Sequence, residues 1–297
     1  MKCLRRARAL LGILVLSAGA AVAAPEIAVV PESPRVGDVM FLRMQPEAAV
    51  LRAACSWGGK SYPLLANAEG YEVVLPVSLK TKPGGHHAVV YWKYVDGGMG
   101  KEVIQIEVGR RRFGVQHLKL SRSQERTYSA PETERERELI GAALDRVSPE
   151  RHWQGSFVRP VEGRISTEFG LERYVNGRFS YRHRGVDIAC PEGTAVKAAA
   201  DGVVSLADDS FVLHGKTVIV DHGQGVSSLY IHMSQTGVET GQSVRQGEVI
   251  GRVGCTGVAT GPHLHFAVYA HHEAVDPFFW TDLPSFQEDG EKQSGEG

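Results

Sequence analysis

Apolar and polar positions alternate, or close up into short apolar runs, across the first third of the chain. Runs at 39–44, 71–77, 88–95 and 103–108 are separated by turn-forming segments at 34–38, 83–85 and 96–98. Seven or so short strands at this spacing predict a small immunoglobulin-like β-sandwich over residues 24–112. The period changes beyond Arg110-Arg111-Arg112. Leu139, Ile140, Ala143 and Leu144 recur at helical spacing behind the charged run 134–138, and Ser129 with Glu132 suits a capping box. A linker over 113–155 with a helix at about 130–147 follows, the charged run forming its solvated face. From 156 to 281 the pattern returns to strands, now richer in glycine, at 165–169, 185–189, 202–207, 217–220, 226–232, 249–253 and 263–269. A hairpin turn is expected at 221–225. Few helical patterns interrupt these strands, so the second domain reads as compact antiparallel β and the whole fold as mainly β.

Composition adjusts this picture at the two ends. Lys2, Arg5, Arg6 and Arg8 precede an apolar stretch at 9–23 that finishes in Ala21-Val22-Ala23. A basic start, a short apolar run and a small-x-small site read as a signal peptide over residues 1–23. The run is too short for a membrane span, which needs about 20 residues. The expectation is therefore an exported protein, periplasmic or associated with the cell wall, without stable membrane insertion after cleavage. The acidic, glycine-containing end at 282–297 reads as a disordered tail.

The 297 residues are 42% hydrophobic and 23% charged, a globular composition with length for two modest domains. Losing four of the 33 basic residues and none of the 34 acidic ones would shift the formal charge from −1 to −5. That balance does not favour a nucleic-acid partner, which calls for a concentrated basic face. Beyond Cys3, three cysteines remain: Cys55, Cys190 and Cys255. Without a C-x-x-C pair, a zinc knuckle or thioredoxin-type site is unsupported. Cys55, beside Trp57, reads as a small apolar packing group.

Candidate chemistry is confined to the second domain. In Gly261-Pro262-His263-Leu264-His265-Phe266, an extended backbone would set both histidines on one face and Leu264 and Phe266 on the other. A metal ion is the usual reason to gather imidazoles in this way. His183-Arg184-Gly185-Val186-Asp187 needs more than a straight strand, which would hold residues four apart at about 13 Å. A turn at Arg184-Gly185 that folds His183 back over a strand carrying Asp187 solves this, and glycine suits such a bend. Together with H-x-H, the segment can supply the three N/O ligands of a catalytic zinc. In Leu229-Tyr230-Ile231-His232-Met233, an extended reading places Tyr230 and His232 on one face and the apolar residues on the other. H-E-x-x-H and G-x-S-x-G are both absent, which removes helical zinc proteases and serine hydrolases of that type.

The three segments H-R-G-V-D, L-Y-I-H-M and G-P-H-L-H-F, in this order, resemble the lysostaphin-like or LytM-type zinc endopeptidases of bacterial cell walls. The resemblance spans residues 163–277 and includes Thr194-Ala195-Val196, Gly202-Val203-Val204 and Gly247-Glu248-Val249-Ile250-Gly251. It implies one zinc ion held by His183, Asp187 and His265, with His232 and His263 as catalytic residues beside it. All five positions are intact, unlike those of degenerate relatives that have lost ligands and activate other wall hydrolases. Met233 replaces a commoner leucine, and Cys190 and Cys255 stand where small residues are usual.

The function so implied is an exported zinc endopeptidase that hydrolyses peptide cross-links of peptidoglycan, with stem peptides as substrate. Zinc would activate the attacking water, one of His232 and His263 would take its proton, and the other would serve the oxyanion or the leaving amine. Tyr230 is expected in the core or cleft lining. The first domain would position the enzyme or bind the wall or a protein partner. The alternative is a non-catalytic regulator that binds a wall peptide or an amidase in the same groove. A lipoyl-type carrier, suggested by residues 241–248, lacks the exposed lysine hairpin. Cys190 and Cys255 should border the cleft, where a disulfide between them is expected, a thiolate ligand being the alternative.

Overall fold

The computed structural model describes residues 23–119, 127 and 130–282. Of the expected signal peptide at 1–23 and the expected tail at 282–297, residues 1–22 and 283–297 lie outside the described residues. None of the described helices is long and apolar enough to cross a membrane.

The first domain is built from β1 (Glu26–Val30), β2 (Val39–Gln45), β3 (Val50–Trp57), β4 (Lys60–Pro63), β5 (Leu65–Asn67), β6 (Gly70–Pro76), β7 (Gly84–Tyr94) and β8 (Met99–Val108). They form two four-stranded antiparallel sheets, in the orders β1-β2-β6-β5 and β4-β3-β7-β8. Met40, Leu42, Met44, Val73 and Leu75 from one sheet and Cys55, Trp57, Val90 and Trp92 from the other share one buried cluster. Within it, burial pushes the Cys55 thiol up to about 12, so this cysteine is an inert packing group. The first four residues of β2, Val39 to Leu42, are all apolar because both faces of the strand are covered there. Val39 and Phe41, with Val74 of β6, turn the other way and join the core of the second domain.

A short strand β9 (Val115–Leu118) leaves the first domain, and helix α1 (Pro131–Leu144) follows. The capping-box reading fails at its start. The N-cap is Ala130, without a side-chain cap, and Pro131 supplies the preset φ of the first turn. Ser129 lies outside the described residues. Ile140, Ala143 and Leu144 of α1 pack into the second domain's core as the helical period predicts.

The second domain contains β10 (Arg164–Thr167), β11 (Glu172–Val175), β12 (Arg178–Arg182), β13 (Val186–Ala189), β14 (Ala195–Lys197), β15 (Gly202–Asp208) and β16 (Lys216–Gly223). The chain continues through β17 (Val226–Thr236), β18 (Ser243–Val244), β19 (Val249–Val253), β20 (His263–Ala270), β21 (Glu273–Val275) and helix α2 (Pro277–Thr281). Ten of these strands form one antiparallel sheet whose main path runs β10-β13-β20-β17-β16-β15-β18. The remaining hairpin, β11-β12, takes β9 alongside β11 as a parallel neighbour, an addition that sequence periodicity does not reveal. The expected 221–225 turn closes β16 onto β17, with Gln224 and Gly225 both at positive φ.

The two domains are firmly docked. Phe41 meets Trp280 of α2 edge to face with ring centroids 5.9 Å apart, and Trp280 is fully buried. Arg111 pairs with both Asp38 and Asp276, while Arg151 and Arg43 hold the buried Glu72 at 3.1 and 2.6 Å.

Candidate metal centre

Strand pairing alone brings together two of the expected ligands. Asp187 of β13 lies directly opposite His265 of β20 in the antiparallel register, where cross-strand side chains share a face. His183 precedes β13 and is folded back as expected. Its N–H donates to the Leu171 carbonyl, its own carbonyl accepts from Gly170, and its Nδ1 faces the Glu168 carbonyl at 2.9 Å. Gly185 makes this return possible by its lack of a side chain. A Cβ there would fall 2.4 Å from the Phe266 carbonyl oxygen and 2.9 Å from His265 Nε2.

The donor atoms converge. His183 Nε2 is 2.9 Å from His265 Nδ1 and 3.0 Å from Asp187 Oδ1, and His265 Nδ1 is 2.8 Å from the same carboxylate oxygen. Because a carbonyl only accepts, the Glu168 contact places the His183 proton on Nδ1 and leaves the Nε2 lone pair directed at the cluster. Burial lowers His265 to about 4, keeping its ring neutral near pH 7. Burial alone would push the Asp187 carboxyl up, but His183 and His265, close against it, hold it well below the usual carboxylate range. Two imidazoles and one carboxylate, buried and mutually close, form a donor set suited to a cation. Tetrahedral zinc with bonds near 2.0 Å keeps its ligand atoms about 3.3 Å apart, so small side-chain movements suit this trio to zinc.

His232 reaches the same face by a route that its sequence does not show. Tyr230 pairs across the ladder with Phe266, and Ile231 pairs with His265. Regular alternation would therefore put His232 with Tyr230, on the face opposite His265. Instead, β17 carries an extra residue opposite Thr217, with His232 in the left-handed region at φ 66°. This bulge corrects the shared-face reading of Tyr230 and His232. Tyr230 is fully buried in the core, where its hydroxyl accepts from the Ala199 N–H at 2.8 Å and bonds Ser228. His232 turns to the cleft, 4.9 Å ring to ring from His263 and 6.5 Å from His265.

Both cleft histidines have one nitrogen committed. His232 Nδ1 donates to the Thr256 carbonyl at 2.9 Å and His263 Nδ1 to the Gly261 carbonyl at 2.8 Å, leaving each Nε2 for chemistry. Burial, followed by the neighbouring His265 and His263, lowers His232 to about 3, so it is a neutral base at physiological pH.

One contact was invisible to pattern reading. Arg173 of β11 donates from Nη2 to Asp187 Oδ2 at 3.0 Å and from Nη1 to the Tyr181 hydroxyl at 2.9 Å. It steers the second carboxylate oxygen away from the donor trio, and an arginine in a polar hairpin gives no sequence signal of that task. Other expectations resolve simply. Cys190 and Cys255 are free thiols: Cys190 donates to the Ile188 carbonyl at 3.5 Å, and Cys255 is exposed on the turn after β19. The expected disulfide is therefore not formed. His222, fully buried between the Asp201 carbonyl and Ser228, is structural.

Comparison with known proteins agrees with this geometry. The profile of Peptidase family M23 matches residues 181–277. A crystal structure of a putative peptidase M23 from Pseudomonas aeruginosa superposes with a TM-score of 0.62 at 30% identity, covering 84% of this chain and 95% of that one. DD-carboxypeptidase/endopeptidase Mpg of Neisseria meningitidis is 41% identical over 117 residues, 39% of this chain and 27% of its own. Peptidoglycan DD-endopeptidase ShyC of Vibrio cholerae is 39% identical over 105 residues, 35% of this chain and 24% of its own. The chain thus spans about a quarter of the length of these curated relatives. With a structural counterpart matched over 84% of this chain at 30% identity and the donor set in place, the chain belongs to peptidase family M23.

Proposed function

We propose that this protein is an exported zinc endopeptidase that hydrolyses peptide cross-links of bacterial peptidoglycan. The observation that carries the reading is the intact trio His183, Asp187 and His265 with His232 and His263 beside it on one face. Zinc bound by the trio supplies a Lewis acid and lowers the pKa of water to about 7. The remaining work falls to the chain's own side chains. His232, neutral and with Nδ1 spent on Thr256, takes the proton of the attacking water on Nε2. His263, its Nδ1 held by the Gly261 carbonyl, serves the developing oxyanion once its Nε2 carries a proton. The proton held by His232 passes to the leaving amine as the C–N bond breaks, returning the ring to its starting state.

The bond class follows the relatives named DD-endopeptidase, and the signal-peptide pattern expected over residues 1–23 supports export. The first domain, docked rigidly on the second, serves to place the cleft against the wall or a protein partner. Isolated sacculi digested with zinc-loaded protein should lose cross-linked muropeptide dimers, and chelator or His265→Ala should prevent that loss. Dimers left untouched by metal-replete protein would instead establish the non-catalytic regulator.

A further inference from the structure

Helix α1 lies outside the matched family region, yet its Glu136 is buried at 3% exposure. The carboxylate accepts from three consecutive backbone N–H groups, those of Val212, Leu213 and His214, and from His214 Nδ1 at 2.8 Å. A buried carboxylate is tolerable only when satisfied in this manner. The segment it gathers, 212–214, leads into β16 and touches both supports of His232. His214 offers its carbonyl to the His232 N–H at 3.0 Å. Leu213 offers its carbonyl to the Val258 N–H at 2.9 Å, fixing the turn whose Thr256 carbonyl receives the His232 ring proton. Fit is tight here: a Cβ on Gly257 would lie 2.5 Å from the Leu213 oxygen, and one on Gly215 would lie 2.3 Å from Thr256 Oγ1. His232 holds a left-handed backbone, which non-glycine residues keep only when their surroundings over-determine it.

We propose that Glu136 is a positioning residue for His232: by clamping segment 212–214 it sets the backbone and the ring tautomer of that histidine, so the interdomain helix completes the peptidase site. This rests on the proposed peptidase reading for its kinetic consequence alone. The geometric consequence stands apart from it, because the tautomer of His232 is observable without substrate.

The test uses the full chain loaded with zinc, as wild type, Glu136→Ala, Glu136→Gln and the packing control Ile140→Ala. Ile140 is buried on the same helix but touches none of these groups through hydrogen bonds. Imidazole ¹⁵N spectra should show His232 as the pure Nδ1–H form in wild type and Ile140→Ala, and as a mixture in Glu136→Ala. With a purified cross-linked muropeptide dimer, Glu136→Ala should lose about 100-fold in kcat with KM and zinc affinity within about twofold. Glu136→Gln, which retains one accepting oxygen, should fall between and decides the matter should the alanine variant not fold. An unchanged His232 spectrum and kcat in folded Glu136 variants would overturn the proposal, as would equal damage from Ile140→Ala. Wild type inactive on the dimer would reject the peptidase reading, while the spectra would still decide the role of Glu136.

Discussion

The two domains differ in what surrounds their buried carboxylates, although arginine meets one oxygen of Asp187 and one of Asp276 in the second. In the first, each buried carboxylate has arginine partners: Glu72 sits between Arg43 and Arg151, and Asp38 faces Arg35 and Arg111. Arg111, at the end of the first domain, and Arg151, in the linker, tie the two domains together. The second domain instead buries imidazoles that burial keeps neutral, and it gathers them around Asp187. Satisfied ion pairs make a rigid platform, whereas neutral donors facing one anion make a place for a cation. The difference shows which half holds structure and which half holds reactivity.

The largest effect should come from removing a donor. His265→Ala should abolish hydrolysis, by at least about 10³-fold, and stoichiometric zinc binding, while the β-rich circular dichroism spectrum is unchanged. Metal content by mass spectrometry together with muropeptide release measures both. Next, Phe41→Ala should cost about 3–5 kcal/mol, since a large ring buried between the domains leaves a cavity against Trp280. Urea unfolding should show the loss in both domains together; independent transitions would mean that the platform is only loosely joined.

A smaller effect concerns pH. His222 has its pKa lowered to about 4 by burial, against about 6.5 when unfolded. The unfolded chain therefore binds the proton first. Stability from this group is fully present above pH 6.5 and is lost as pH falls toward 4, by about 3 kcal/mol in all. His222→Asn should flatten the dependence of the urea midpoint across that window. Arg173→Ala should weaken zinc binding by about 10–100-fold, read by chelator competition, because Asp187 loses the contact that orients its free oxygen. Least of all, Cys255→Ser on the exposed thiol should stay within about 0.5 kcal/mol of wild type. The intact mass should not change on reduction.

Legibility followed the range of the interaction. The strand at 249–253 was read to the residue, and 39–44 and 263–269 to within one, because period two is a local property. β9 was not read, since its four residues gain strand character only by lying beside β11. His263 and His265 could be assigned to one face from spacing alone. His232 could not, because an extra residue in β17 reverses the alternation at that point. The capping box failed for a related reason: Pro131 starts the helix at a residue whose neighbour has no capping side chain.

By itself, the order of residues determined which side chains are candidates for the chemistry, a mainly β architecture and the division into two β-rich parts joined by a helix. Periodicity and motif spacing encode these, and both act over a few residues. Tertiary structure alone decided that His232 faces the metal centre, that Arg173 holds the far oxygen of Asp187, and that Cys190 and Cys255 stay apart. It also set Glu136 of the linker against the segment beneath His232. Each of these depends on groups distant in sequence meeting at hydrogen-bond range, which only the packed sheet specifies.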